Sequence, residues 1–389
     1  MNVPKLRFKE FTDEWKQTPL KNIIYSNIIE APKPTTDYIR LGIRSHCKGT
    51  FHELVKIENI LSADKMYIVP KNNLILNITF AWEQAIAITD DNDEGKYISN
   101  RFPTFAFKDN QLPTFYKYII PQKRLKYDLN VASPGGAGRN RVLNKKLFLS
   151  IPVNIPLLKE QEKISKFLTT VDKKITNLKN TITSLENQKK GLLQQIFSQK
   201  LRFKDKNGNN YPNWEKKKLE DISNITMGQS PDSDFVNTEK IGTPFLQGNA
   251  EFTNKYPIEK YWCTKPQKIA NPTDILLSVR APVGAINIAN KKFCIGRGLS
   301  AISFNCNKLF GKYNLEFNLF QLIKKSQGST FSSINKKDIS EVILFIPCLE
   351  EQTKIADFLS AFDRKLENQK AQLEHWKQIK KGLLQQMFV

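Results

Sequence analysis

The chain has 389 residues, enough for two or three ordinary domains, each with its own core. Its 60 Lys and Arg against 38 Asp and Glu give a net charge of +22, which points toward a polyanion such as nucleic acid, although 49 of the 60 are Lys and a coding bias would raise the same count. No stretch approaches the roughly 18 apolar residues of a membrane span, and five cysteines without a Cys-x-x-Cys pair argue against a disulfide framework or a structural zinc, so a soluble cytoplasmic protein with reduced thiols is expected.

Residues 1–156 open on "LRFK" at Leu6, followed by Trp15 and "LKNI". "SHCKGTFHE" holds His46, Cys47 and His52 at spacings that do not suit a tetrahedral metal site, and reads as a surface loop. The apolar run and alternation of "NNLILNITFAWEQAIAI" near Leu74 predict a β-hairpin element. The region closes on the glycine-bearing "SPGGAGRNRVLNKK", which lacks both the Lys-Ser/Thr ending of a phosphate-cradling loop and a GxGxxG spacing, and so reads as a turn or a DNA-facing loop.

Residues 157–200 change period. Ile164, Leu168, Val171, Ile175, Leu178, Ile182 and Leu185 alternate four and three apart, a heptad seam that predicts a long coiled-coil helix, headed by Pro156 and "KEQ". Residues 201–347 then repeat the first plan with "LRFK" at Leu201, Trp214, "LEDI", the hairpin-like "PTDILLSVRAPVGAINIA" and a closing "SQGSTFSSINKK". Residues 348–389 carry a second seam through Ile355, Leu359, Phe362, Leu366 and Leu373. Each of the two globular regions has a net charge of +8.

"KKGLLQQ" occurs at 189–195 and again at 380–386, and a shift of 191 extends that match without a gap through Asp172 and Asp363, "IPLLKEQEKISKFL" and "IPCLEEQTKIADFL", and two copies of "NKK". The chain is therefore an internal duplication. It reads as an α+β protein: two similar globular domains separated by two long antiparallel coiled-coil helices, with a pseudo-twofold repeat. About forty residues make a helix of roughly 60 Å, whose seam needs a partner; the second seam of the same chain is expected to supply it, and a second copy of the chain is the alternative. Lys189 and Lys380 interrupt the two seams at equivalent positions.

Motifs of catalysis are absent from the sequence: no GxxxxGK[ST], no Asn-Pro-Pro-aromatic methyltransferase signature, and at Pro231-Asp232 no nearby Glu-x-Lys of a nuclease. Two unlike domains, each followed by a near-identical helix headed by Ile-Pro-x-x-x-x-Gln-x-x-Ile, with "GLLQQ" and "DILLSVRAPVGAINIA...IGRGLSAI", resemble the specificity (S) subunit of a type I restriction-modification system, the HsdS family. The resemblance covers the whole chain, and the first domain departs from it with "LILNITFAWEQAIAI" in place of the "VRAPVG" version. It implies a non-catalytic organiser: target-recognition domains at 1–156 and 201–347, each reading half of a bipartite, asymmetric double-stranded DNA site, and paired helices at 157–200 and 348–389 that set the spacer. Two modification subunits carrying S-adenosylmethionine would dock on the helices, and two motor-nuclease subunits using ATP and Mg would join them. Half-sites one helical turn apart, about 34 Å, fit such an arrangement, and the longer helices predict an unread spacer of about five to eight base pairs.

Base reading favours Arg, Lys, Asn and Gln. The candidates for DNA contact are Arg40, Arg44, Arg139 and Arg141 in the first domain, and Gln247, Asn249, Arg280, Lys336 and Lys337 in the second; a solvated surface role is an equal reading of each. Lys336 and Lys337, like Lys145 and Lys146, adjoin the helix heads and suit subunit docking as well. Two other functions fit the same sequence. A scaffold binding nucleic acid by charge alone would keep its preference when its variable domains are exchanged, and an enzyme with an unrecognised site would methylate or cleave DNA unaided.

Overall fold

A computed structural model describes residues 3–59, 65–135, 141–253, 255–327 and 333–389. Eight α-helices occur among them: α1 (Pro113–Ile119), α2 (Lys123–Val131), α3 (Lys145–Ser150), α4 (Leu158–Phe197), α5 (Leu219–Ile222), α6 (Lys308–Gln327), α7 (Lys336–Ser340) and α8 (Leu349–Gln386). The chain divides into two compact units. The first is Met1–Leu178 with Gln372–Val389, and the second is Lys179–Ala371. Each unit thus holds one globular region, the head of the long helix that follows it and the tail of the other long helix.

The two globular regions share a plan strand by strand. In each, the strand near the amino end pairs antiparallel with the strand before the long helix, Lys16–Pro19 with Pro152–Ile155 and Glu215–Lys218 with Ile343–Ile346. A four-stranded sheet follows, ordered Ile24–Ser26, Thr104–Phe107, Leu74–Leu76, Ile86–Ile88 in the first unit and Ser223–Met227, Leu299–Phe304, Ile275–Ser278, Ile286–Ile288 in the second. The two predicted hairpin elements are the last two strands of these sheets; Leu74, Ile75 and Leu76 are all buried, as a strand covered on both faces requires.

The five-stranded sheets show where the repeats parted. Four strands keep one order: Met66–Ile68, Tyr97–Ile98, Tyr38–Ile43, Thr50–Val55 in the first unit, and Ile269–Ala270, Phe293–Ile295, Thr243–Leu246, Tyr261–Cys263 in the second, with the central pair parallel in both. The fifth strand lies on opposite edges. Ile29–Ala31 pairs with Met66–Ile68, whereas Val236–Asn237 pairs with Tyr261–Cys263 at the far side of its sheet. A conserved core with a relocated edge strand gives two different surfaces on one scaffold.

The duplicated motifs are the joints between each domain and the helices. In the first unit Glu160, at the head of α4 and buried, takes the Arg7 guanidinium at 2.7 Å and the Trp15 indole N–H at 3.3 Å. In the second Glu351, fully buried at the head of α8, takes Arg202 at 2.7 Å and Trp214 at 3.0 Å. Hydrogen bonding to the glutamate raises each guanidinium above its usual pKa. The next residues, Gln161 and Gln352, donate to the Pro156 and Pro347 carbonyls and accept the Leu112 and Asn307 amides. Asn144 and Asn335 of the two "NKK" copies cap α3 and α7.

The lysines that interrupt the seams pair across them. Lys380 reaches Asp172 at 2.6 Å, and Asp172 accepts the Tyr118 hydroxyl at 3.1 Å; in the second unit Lys189 reaches Asp363 at 2.6 Å, and Asp363 accepts the Tyr313 hydroxyl at 2.7 Å. Burial pushes both phenols above their ordinary range. Glu186 pairs with Lys370 three residues before Lys189 and seven after Asp363, so the helices run antiparallel there. The carbonyl of the last Gln of each "KKGLLQQ" accepts the amide of the Leu of an "LRFK": Gln195 from Leu201, and Gln386 from Leu6. The tail of α8 therefore occupies in the first unit the place that the tail of α4 occupies in the second.

Of the seam residues, Ile164, Leu168, Val171, Ile175, Leu178, Ile355, Leu359 and Leu366 are buried, while Phe362 and Leu373 are half-buried. Ile164 and Leu168 share a core with Met387, and Ile355 and Leu359 share one with Ile196, Phe197 and Trp214. The seam thus buries itself partly against the other helix and partly against the domain.

Candidate nucleic-acid interface

In the first unit the hairpin joining Tyr38–Ile43 to Thr50–Val55 presents two of the candidate arginines. Arg40 faces Glu53 across the strands and pairs with it at 2.7 Å. Arg44 donates to the Thr50 carbonyl and lies 5.0 Å over the Phe51 ring, which fixes the turn rather than freeing the charge. Arg141 donates to the Ser133 and Asn130 carbonyls at 3.0 Å, satisfying the carboxyl end of α2, and stacks 5.2 Å over Trp82. Arg139 lies outside the described residues.

Arg141 and Trp82 line a concavity of about 440 Å³ together with Lys123, Lys126, Tyr127 and Asn130 of α2, His46, and Glu83, whose carboxylate accepts the Ser45 hydroxyl at 2.8 Å. Lys123 and Lys126 are exposed and one helical turn apart, and Tyr127 is 62% exposed. Two free ammonium groups beside an open aromatic face suit a phosphate backbone and a stacked base or sugar. Neither the lysines nor Tyr127 stood out in the sequence, because a basic helix face is also what an ordinary solvated surface looks like.

In the second unit Gln247 is exposed at the end of Thr243–Leu246, and Asn249 starts a short 3-10 turn, Asn249–Glu251, half-buried. Gln247 lines a concavity of about 600 Å³ with Ser230, Asn237, Tyr261 and Arg297. Arg280 is exposed and its backbone bridges to Ser333. Lys336 and Lys337 project from the first turn of α7, and Lys337 stands 4.0 Å from Glu341. The structure therefore gathers Gln247 with Arg297, and leaves Asn249, Arg280 and the Lys336–Lys337 pair outside the lining of that hollow.

Among the described residues no group of three His, Cys, Asp or Glu is placed to hold a metal, and no helix is long and apolar enough to cross a membrane. All five cysteines are unpaired, and burial pushes Cys306 up to about 11 and Cys47 up to about 12.

The model of the type I restriction modification DNA specificity domain matches the chain twice, over residues 17–187 and 211–375. The chain belongs to this family. Both family domains begin inside a globular region and run most of the way along the helix after it, in step with the repeat. A Methanocaldococcus jannaschii protein named for the specificity subunit of the type I restriction enzyme MjaX is 37% identical over 98% of this chain and 95% of its own length. The MjaVIII specificity subunit of the same organism is 23% identical over 91% and 84%. Two solved structures share the fold. The S subunit of the type I restriction-modification system from M. genitalium has a TM-score of 0.64 at 14% identity, covering 100% of this chain and 99% of its own. A chain solved in work on assembly of a type I R-M system has a TM-score of 0.59 at 24% identity, covering 95% and 96%.

Proposed function

We propose that this chain is the DNA-reading subunit of a type I restriction-modification complex, in which each globular region reads one half of a bipartite, asymmetric target and the long helices carry the partner subunits. The observation that carries this is the pairing of sameness and difference in one chain. The clasps Arg7–Glu160–Trp15 and Arg202–Glu351–Trp214 repeat residue for residue, whereas the surfaces above them do not. A subunit that docks two copies of one partner needs the first, and one that reads two unlike sequences needs the second.

In this reading the chain performs no chemistry of its own. Two methyltransferase subunits bring S-adenosylmethionine, and two motor-nuclease subunits bring ATP and Mg. The complex works in the cytoplasm on double-stranded DNA. Lys123, Lys126 and Tyr127 supply backbone contacts in one half, and the hollow around Gln247 faces the other. Arg40, Arg44 and Arg141, already bonded within the protein, shape the first surface more than they read bases.

Exchanging residues 201–347 for the corresponding region of a relative tests this directly. The expected result is a methylated target that changes in one half and keeps the other. An unchanged preference after the exchange would favour a scaffold that binds by charge alone, and methylation or cleavage by the purified chain without partners would favour an enzyme.

A further inference from the structure

Resting on the DNA-reading role proposed above, we infer that Arg297, with Gln247 in the same hollow, is a base-reading residue of the second globular region. The chain has eleven arginines, ten of them described. Arg7, Arg40, Arg44, Arg141 and Arg202 are engaged as already set out. Arg101 bonds the Thr79 hydroxyl at 3.3 Å, Arg124 pairs with Asp128 at 2.9 Å and Arg364 bonds the Ser360 hydroxyl at 3.3 Å. Among the described residues, the guanidinium groups left without a partner are those of Arg280 and Arg297. Of these two, Arg297 lies in a hollow with a second free polar head, Gln247.

The backbone beneath the pair is locked. Thr243–Leu246 and Phe293–Ile295 run parallel, the Gly296 amide bonds the Leu246 carbonyl at 2.8 Å, and the Arg297 amide bonds Ser230 Oγ at 3.2 Å. Both neighbours of Arg297 are glycines for a steric reason. A methyl group on Gly296 would come within 3.1 Å of the Gln247 Cα, and one on Gly298 within 2.7 Å of the Gln247 carbonyl oxygen. A methyl group on Gly228 would come within 2.2 Å of the Gly296 carbonyl oxygen. Two side chains with free ends therefore rise from strand ends that are packed backbone to backbone.

A fixed backbone beneath an unengaged polar head suits base reading, with the DNA itself completing the hold on the side chain. A phosphate contact needs only charge, and the chain has lysines for it; a base contact needs a planar fork held in register. A guanidinium suits guanine O6 and N7, and a carboxamide suits adenine N6 and N7. Glu239, which lines the same hollow and is bonded to Thr238 rather than to Arg297, offers an acceptor for a cytosine amino group.

The test uses the full chain assembled with its modification subunits. Binding is measured at fixed salt by fluorescence anisotropy, on duplexes carrying the methylated target and each single base-pair substitution of it. Arg297→Ala is expected to lose about 10- to 100-fold of discrimination at a G·C pair in one half-site, with the other half untouched, and Arg297→Lys, which keeps the charge without the planar fork, to recover only part of it. Gln247→Ala is expected to relax a neighbouring position of the same half. Unchanged discrimination in Arg297→Ala would overturn the inference. So would a uniform loss on all duplexes that Arg297→Lys restores, which is the behaviour of a phosphate contact. A parent complex that does not discriminate among the duplexes at all would overturn the DNA-reading role itself.

Discussion

Replacing Glu351 by Ala isolates the joint on which the second domain stands. Its carboxylate is fully buried and takes Arg202 Nε at 3.2 Å, Arg202 Nη2 at 2.7 Å and the Trp214 indole at 3.0 Å. Removal leaves a buried indole N–H without an acceptor, which costs about 1–3 kcal/mol, and a guanidinium that keeps the Tyr211 and Pro212 carbonyls but loses its counter-charge. Breaking one side of a buried pair costs about 3–5 kcal/mol altogether, and at roughly 2–4 °C per kcal/mol for a unit of this size the melting temperature should fall by about 10 °C. Arg202 retains 21% exposure, so water recovers part of the loss and the lower half of the energy range is the better expectation. Differential scanning calorimetry of the full chain reads the shift, and the Arg202→Leu, Glu351→Leu double variant should melt above Glu351→Ala, because it leaves no charge uncompensated. A fall of less than about 2 °C, or a double variant less stable than the single one, would refute the reasoning.

Lys189→Met removes the bond to Asp363 at partial burial and should lower the urea midpoint by an amount equal to about 1–2 kcal/mol; the equivalent Lys380→Met acts on the more exposed pair with Asp172 and should cost less, about 0.5–1 kcal/mol. Leu178→Asp places a charge at a buried seam position and should abolish binding of the modification subunits on gel filtration, while the globular regions keep their circular dichroism. Tyr118 and Tyr313 are held un-ionised by burial in the folded chain, so above pH 10, where the unfolded phenols release their protons, stability should fall as pH rises, with no contribution from them below it. Tyr313→Phe should flatten that alkaline slope in urea titrations, and an unchanged slope would show that the phenol contributes nothing.

Much of the fold was legible because repetition and heptad period are properties of sequence. The seam from Ile164 to Leu178 and the hairpins at Leu74 and Ile275 follow from local pattern, whereas the capping role of Asn144 and Asn335 in the two "NKK" copies was not read from it. The roles of the shared motifs were not legible, since they depend on partners far away in the chain: Glu160 finds Arg7 from 153 residues away, and Glu351 finds Arg202 from 149. Repetition of Arg, Trp and Glu at matching places in both halves was the available signal. The reading residues were the least legible part. Arg40 and Arg141 look as free in sequence as Arg297 does, and only the contacts of each guanidinium separate them. The relocated edge strand was equally hidden, because two or three residues such as Val236–Asn237 carry too little pattern to announce a sheet position.

The central claim is that this chain tells partner subunits where to act on DNA, and long-read methylome sequencing of cells expressing it with and without a cognate modification subunit tests that claim most directly. A bipartite motif with a methylated adenine in each half, present only when both proteins are expressed, is the expected result. Absence of any new motif while the two proteins demonstrably form a complex would contradict the claim.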